Sequence, residues 1–232
     1  MRYLRHILLL ALLGSAWSSP VLALGGMTEL NYMDQEAAGG GYVTRYLVTA
    51  RYLRLDFGRD RDDFVLFDRK ERRVYSVNND KQEILVFEPG IVQVKPPQKW
   101  EIKEDILENK ASEIRVDLVV NGTVCSRIAA SKRFLPDVAK ALLEFQELMA
   151  ATQSNTYLAT PVDQRDDCDL ARLILAPQYW FKYGMPFDEV RVSGFSRRLL
   201  HYEADVAVRP KAFELPENYH RISLKDVQGI AK

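Results

Sequence analysis

Between Asp62 and Phe87 the chain reads DDFVLFDRKERRVYSVNNDKQEILVF, a set of short apolar runs broken by charged punctuation, and this stretch restricts the fold more than any other. Phe64, Val65, Leu66 and Phe67 are consecutive, and in a strand successive side chains point to opposite faces, so the run loads both faces with apolar surface. A sheet built from it needs cover on each side. The punctuating residues 68–72 and 78–81 are rich in Asn, Asp and Arg, and Asn and Asp tolerate the left-handed backbone of tight turns, so the stretch reads as an antiparallel meander. What covers the second face is the question on which function turns: the chain's own helices, a partner or a ligand.

The N-terminus narrows the setting. Arg2 and Arg5 precede an apolar stretch from Ile7 to Leu13, and small residues follow near Ala23, which is the pattern of a secretory signal peptide with cleavage after Ala23. The apolar run is far below the ~20 residues of a membrane-spanning helix, and Pro20 sits near its end. No cysteine lies near that site, so the acylated cysteine of a lipoprotein is excluded there. Cleavage leaves roughly 210 residues as a single domain, 24–232, within the size one β-rich domain reaches. Lys plus Arg and Asp plus Glu are 32 each in the full chain, and loss of Arg2 and Arg5 tips the balance slightly acidic. Bulk charge therefore gives no support for a nucleic-acid partner, and peripheral membrane contact would have to come from apolar surface. The expected location is the periplasm.

Strands dominate the first half. Thr28 to Gln35, Tyr42 to Ala50 and Tyr52 to Phe57 precede the meander, and in Tyr52–Phe57 the apolar Leu53, Leu55 and Phe57 alternate with Arg54 and Asp56, which predicts a half-buried strand. Gly39-Gly40-Gly41 is a turn and lacks the Lys and Ser or Thr of a phosphate loop. Pro89, Pro96 and Pro97 interrupt the pattern before strands resume near Trp100 to Ile106, Glu113 to Val120 and Thr123 to Ala130. Asn121-Gly122 between the last two is a strong hairpin signal, and it explains the Asn-Gly-Thr triplet without a sugar.

From Pro136 to about Thr152 the period becomes helical, with Val138, Ala141, Leu142, Phe145, Leu148 and Met149 on one side. Pro136 suits the first turn, where its missing N–H costs nothing. A second helix is expected from about Arg165 to before Pro177, with Asp166, Asp167 and Asp169 at its N-terminus. Strands return at Glu189 to Ser193 and Arg197 to Val208, and Phe213-Glu214-Leu215-Pro216 leads to a short closing segment. Cys125 and Cys168 are the only cysteines, and an oxidising compartment favours joining them, which would pin the second helix to a strand. Closing a loop of that length removes chain entropy worth ~4 kcal/mol in the simple model.

The order YLRLDF … DDFVLFDRKERRVYSVNNDKQEILVFEP, with hairpins carrying FD and VYSVN, resembles the first meander of the LolA/LolB-like superfamily of periplasmic lipoprotein carriers. The later arrangement of DDCDLA, YGMPF, RRLLHYE and a closing F-x-L-P is similar to exported members of uncharacterised role near that group. The resemblance implies an α+β fold, an unclosed antiparallel half-barrel whose concave apolar face is covered by helices, and in the carriers that space takes acyl chains. The chain departs from the simplest carrier pattern in its internal cysteine pair and long middle helix, and no functional residue is carried over by position.

Candidate chemistry is sparse. His201, Glu203 and Asp205 alternate in HYEADVAV and share one strand face, but neighbours on that face are ~7 Å apart, and three ligands from one flat strand converge poorly on an ion. The run VSGFSRR lacks the second glycine of a nucleophile elbow, and no motif places His201 or His220 as its base. Tyr179, Trp180, Phe181 and Tyr183 form the densest aromatic cluster, suited to packing or to the rim of an apolar pocket. The sequence therefore points to a non-enzymatic envelope protein that needs no cofactor and binds a hydrophobic or lipid-like ligand or an apolar protein segment. Phe64, Leu66, Val74, Leu85 and Phe87 are the expected wall, with Leu142, Phe145 and Trp180 opposite. The rivals are an interaction protein whose helices fill that space and an envelope metal-dependent enzyme.

Overall fold

The computed structural model describes residues 26–224 other than 60, 61 and 132, so the expected signal peptide lies outside the described residues. Among the described residues twelve strands form one unclosed sheet. β1 (Met27–Gln35), β2 (Gly41–Val48), β3 (Tyr52–Asp56), β4 (Phe64–Asp68), β5 (Arg73–Asn78) and β6 (Glu83–Phe87) make the expected antiparallel meander, and β7 (Ile102–Asn109), β8 (Ile114–Val120) and β9 (Thr123–Ala130) make a second one. β10 (Pro186–Arg191) and β11 (Ser196–Val206) join the two, with β11 antiparallel to β1. β12 (His220–Ser223) pairs with β6 in parallel and makes the sheet mixed, a pairing that the period of a four-residue strand does not announce. The fold is α+β.

Helix α1 (Pro136–Ala159) begins with Pro136 in its first turn, as the sequence requires, and runs beyond the expected end at Thr152. Beyond Thr152, Gln153 to Thr156 are polar, and Tyr157 and the exposed Leu158 fall off the line of the apolar stripe. These last turns are held from outside: the chain after β6 crosses them, and the buried Ser154 hydroxyl accepts the backbone N–H groups of Gln93 and Val94, each at 3.0 Å. The segment from α2 (Asp167–Leu170) continues as a π-turn to Leu175, and α3 (Gln178–Phe181) follows. Asp166 caps α2 by accepting the Asp169 N–H at 3.0 Å, so the acidic cluster sits at a helix start as expected. Gly184 then turns the chain into β10 with φ +92, and a Cβ there would collide with the Ser131 carbonyl oxygen.

The two faces of the β1–β6 half have different covers. Leu30, Tyr46, Val48, Leu53, Phe67 and Val74 form one buried cluster with Val138, Ala141, Leu142 and Leu148 of α1. Arg69 Nε donates to Glu144 Oε2 at 2.7 Å and ties the β4–β5 hairpin to the same helix. On the opposite face Leu47, Phe64, Leu66, Val77 and Ile84 cluster with Ala212 and Phe213 from the C-terminal segment. Phe213 stacks on Tyr52 at 5.5 Å between ring centroids. The chain itself therefore covers the second face of the doubly apolar run, and burying a side chain such as Phe213 contributes roughly 1.5–3 kcal/mol.

That cover corrects the reading of β3 as half-buried. Arg54 and Asp56, on the side expected to meet water, are buried beneath the C-terminal segment. Asp56 accepts two hydrogen bonds of 2.8 Å from Arg45 and one of 2.7 Å from Arg54 Nε, while Arg54 Nη1 donates to the Ala212 carbonyl at 2.7 Å. The remaining cover, over β8 and β9, comes from Ala171, Trp180 and Tyr183.

Candidate functional site

The residues that build the site start in the sheet. In β1 the side chains of Leu30, Tyr32 and Asp34 share the α1 side, so a carboxylate falls on a parity that is otherwise apolar. Asp34 is paired across the sheet with Arg197 of β11, which donates from Nε at 2.7 Å and Nη2 at 2.5 Å. Thr44 donates to the same carboxylate at 2.7 Å. The Arg197 guanidinium lies 5.4 Å from the ring centroids of both Tyr32 and Tyr46, and Tyr32 donates to the Pro186 carbonyl at 2.7 Å. Burial opposes the charge on Arg197, but the carboxylates of Asp34, which accepts its hydrogen bonds, and Glu189 raise its pKa above the ordinary value. Burial likewise pushes the Tyr32 and Tyr46 hydroxyls up, so both stay neutral.

Neighbouring β10 contributes a second pair. Glu189 accepts Arg191 Nε at 2.8 Å and Nη2 at 3.3 Å, and the Arg191 guanidinium sits 4.0 Å over Phe195. Burial opposes ionisation of Glu189, yet Arg191, Arg197 and Arg172 outweigh it and hold the carboxyl below its usual range. The π-turn after α2 supplies a third pair, in which Arg172 Nη2 donates to Asp169 Oδ1 at 3.0 Å. Burial and then the positive charge of Arg191 lower the pKa of Arg172.

These pairs border a cavity of about 470 Å³ between the sheet and the helices. Tyr46, Leu55, Glu189 and Arg197 form its sheet side, Leu142, Phe145 and Gln146 its α1 side, and Trp180, Phe181 and Met185 a third wall. Gln146 donates to the Leu173 carbonyl at 3.2 Å and fixes the π-turn against α1. A smaller lobe of about 100 Å³ shares Arg172, Trp180 and Arg191 with the cavity and ends on the Cys125–Cys168 disulfide. A more open recess of about 400 Å³ shares Tyr42, Tyr46, Leu55 and Arg197 and continues toward Val65, Ser76 and Asn78.

The expected wall residues separate into groups. Leu142, Phe145 and Trp180 line the cavity. Val74 and Phe87 pack with α1, and Leu85 shares their strand parity through its pairing with Ser76. Phe64 and Leu66 belong to the cluster beneath the C-terminal segment, with Phe64 also edging the open recess. Cys125 and Cys168 are joined, with Cα atoms 5.3 Å apart, so the disulfide pins α2 to β9 as expected. Asn121 and Gly122 form the turn between β8 and β9, and Asn121 Nδ2 donates to Asp167 at 2.7 Å. His201 and Glu203 are exposed and contact each other at 3.2 Å, and among the described residues no group of three His, Cys, Asp or Glu side chains is placed to hold a metal. Sequence reasoning missed Asp34, Arg172, Glu189, Arg191 and Arg197. For Asp34 a signal existed, its place in the Leu30–Tyr32 parity; the others become a site only through strands and turns distant in sequence.

No family model and no curated protein matches the chain. Among solved structures it is similar to an uncharacterised conserved protein from Thermus thermophilus, at 7% identity and a TM-score of 0.44 over 86% of this chain and 91% of that one. It is also similar to PNGF-II, at 10% identity and a TM-score of 0.44 over 88% of this chain, and spans 33% of the PNGF-II chain.

Proposed function

We propose that this chain is an exported, non-enzymatic binding protein of the periplasm that holds a hydrophobic or lipid-like ligand between its sheet and α1, as the lipoprotein carriers it resembles do. The carrying observation is the cavity of about 470 Å³ lined by Leu55, Leu142, Phe145, Phe181 and Met185, a volume within the range of small-molecule sites. In this reading the α1 side of the sheet is the concave inner face of a half-barrel and α1 is its cover. The recess that shares Tyr46 and Leu55 gives a long ligand a way out toward solvent. The Cys125–Cys168 disulfide supports an oxidising compartment, and Arg2 and Arg5 ahead of the apolar N-terminal run support export with cleavage near Ala23.

Native mass spectrometry of protein purified from its own host tests the reading. A bound mass that dissociates as a lipid, and that is lost in Phe145→Asp, is the expected result. Repeated absence of any adduct, under conditions that retain lipid on a known carrier, would overturn it.

A further inference from the structure

The polar end of the cavity has more donors than its protein partners use. Among the described residues Arg172 makes one side-chain hydrogen bond, from Nη2 to Asp169, which leaves Nε and Nη1 unpartnered. Arg191 uses Nε and Nη2 on Glu189, which leaves Nη1. None of these three nitrogens is sealed in protein, and both guanidiniums border the main cavity and the lobe beside the disulfide. The carboxylates nearby are committed or solvated. Both oxygens of Glu189 are taken by Arg191, the Asp169 side chain is 58% exposed, and Asp166 caps α2. Glu36, at the mouth, accepts the Tyr42 hydroxyl at 3.1 Å.

We propose that the lobe between Arg172 and Arg191 is an anion subsite that takes the negatively charged head group of an amphiphile, carboxylate or phosphate, while the apolar tail lies along Leu142, Phe145 and Phe181. The subsite rests on the reading of the cavity as a ligand site and names the ligand class. A guanidinium presents a planar fork of N–H donors that fits both kinds of oxyanion. An anion bridging the two side chains satisfies the open N–H groups and offsets the mutual repulsion and burial that lower the pKa of Arg172.

The test uses the exported chain with its disulfide intact, stripped of lipid on a hydrophobic resin, and titrated with hexadecanoate, hexadecyl phosphate and hexadecanol. Both acids should bind roughly tenfold or more tightly than the alcohol, because hydrogen bonds to charged groups contribute at that level. Arg172→Gln should remove most of the preference of both acids over the alcohol, the remainder being held by Arg191, and Arg172→Lys should keep more of it than Arg172→Gln. Whichever acid binds more tightly identifies the head group as phosphate or carboxylate. Inorganic phosphate should displace neither acid, and displacement at equal concentration would overturn the amphiphile assignment. Equal wild-type affinity for all three ligands, or an Arg172→Gln variant that weakens all three alike, removes the subsite and leaves the ligand cavity standing. Binding of none of the three removes both.

Discussion

The two sides of the sheet use the same chemistry to different ends. On the far face Arg45, Asp56 and Arg54 are buried with side-chain exposures of 7%, 0% and 2%, and the backbone carbonyl of Ala212 completes the cluster. On the α1 face Arg197, Arg191 and Arg172 pair with Asp34, Glu189 and Asp169, but the side chains border open volume. Buried ion pairs recover their desolvation penalty only with good geometry and further hydrogen bonds, and the far face achieves this by folding the C-terminal segment over the charges. On the α1 face the short helices stop before closing the space. The first arrangement fastens a segment of chain, and the second leaves donors that a ligand can use.

The sharpest way to break this contrast is to remove the shared carboxylate of the closed face. Asp56→Ala leaves Arg45 and Arg54 buried without it and should lower stability by about 3–5 kcal/mol, read as a shift in the urea unfolding midpoint. A loss near zero would mean that the far-face charges are as solvated as those of the cavity. A matched pair of truncations comes next. Phe213→Ala, in the packed cover, should cost about 3 kcal/mol, and Phe145→Ala, on a wall that already faces space, no more than about half that. Equal costs would show the cavity wall to be packed as tightly as the cover. The smallest effect is a pH dependence at Glu189. Because its carboxyl is held below the usual 4.5 in the fold, its stabilising effect is complete above that value and disappears as pH falls through the lower, folded value. The stability gap between wild type and Glu189→Gln should therefore be constant near neutrality and narrow below about pH 4.5. A gap that widened in acid would contradict the arginine-rich surroundings.

Much of the fold was legible before any coordinates. The hairpins after Asp68 and Asn78 and the Asn121-Gly122 turn lie where Asn, Asp and Gly chemistry puts them, because turn preference is a local property. The start of α1 at Pro136 and the strand–helix disulfide were legible for similar reasons. The end of α1 was not, because Ser154 is held by Gln93 and Val94, some sixty residues away in the chain. The site was legible in halves. Its apolar side followed from the period of Leu142 and Phe145, whereas its charges read as ordinary strand and turn residues.

The sequence by itself determined where strands, turns and the long helix form and which cysteines can meet, since each of these follows from near-neighbour sterics, periodicity or simple count. Only the tertiary structure decided which strand parity meets α1 and which meets the C-terminal segment, and so sent Phe64 and Leu66 to one side and Val74 and Phe87 to the other. Alternation along a strand says that two faces exist and not what lies on them. Asp34 and Arg197, 163 residues apart, become a pair only when β11 returns beside β1, and a pattern of local period carries no information about that return.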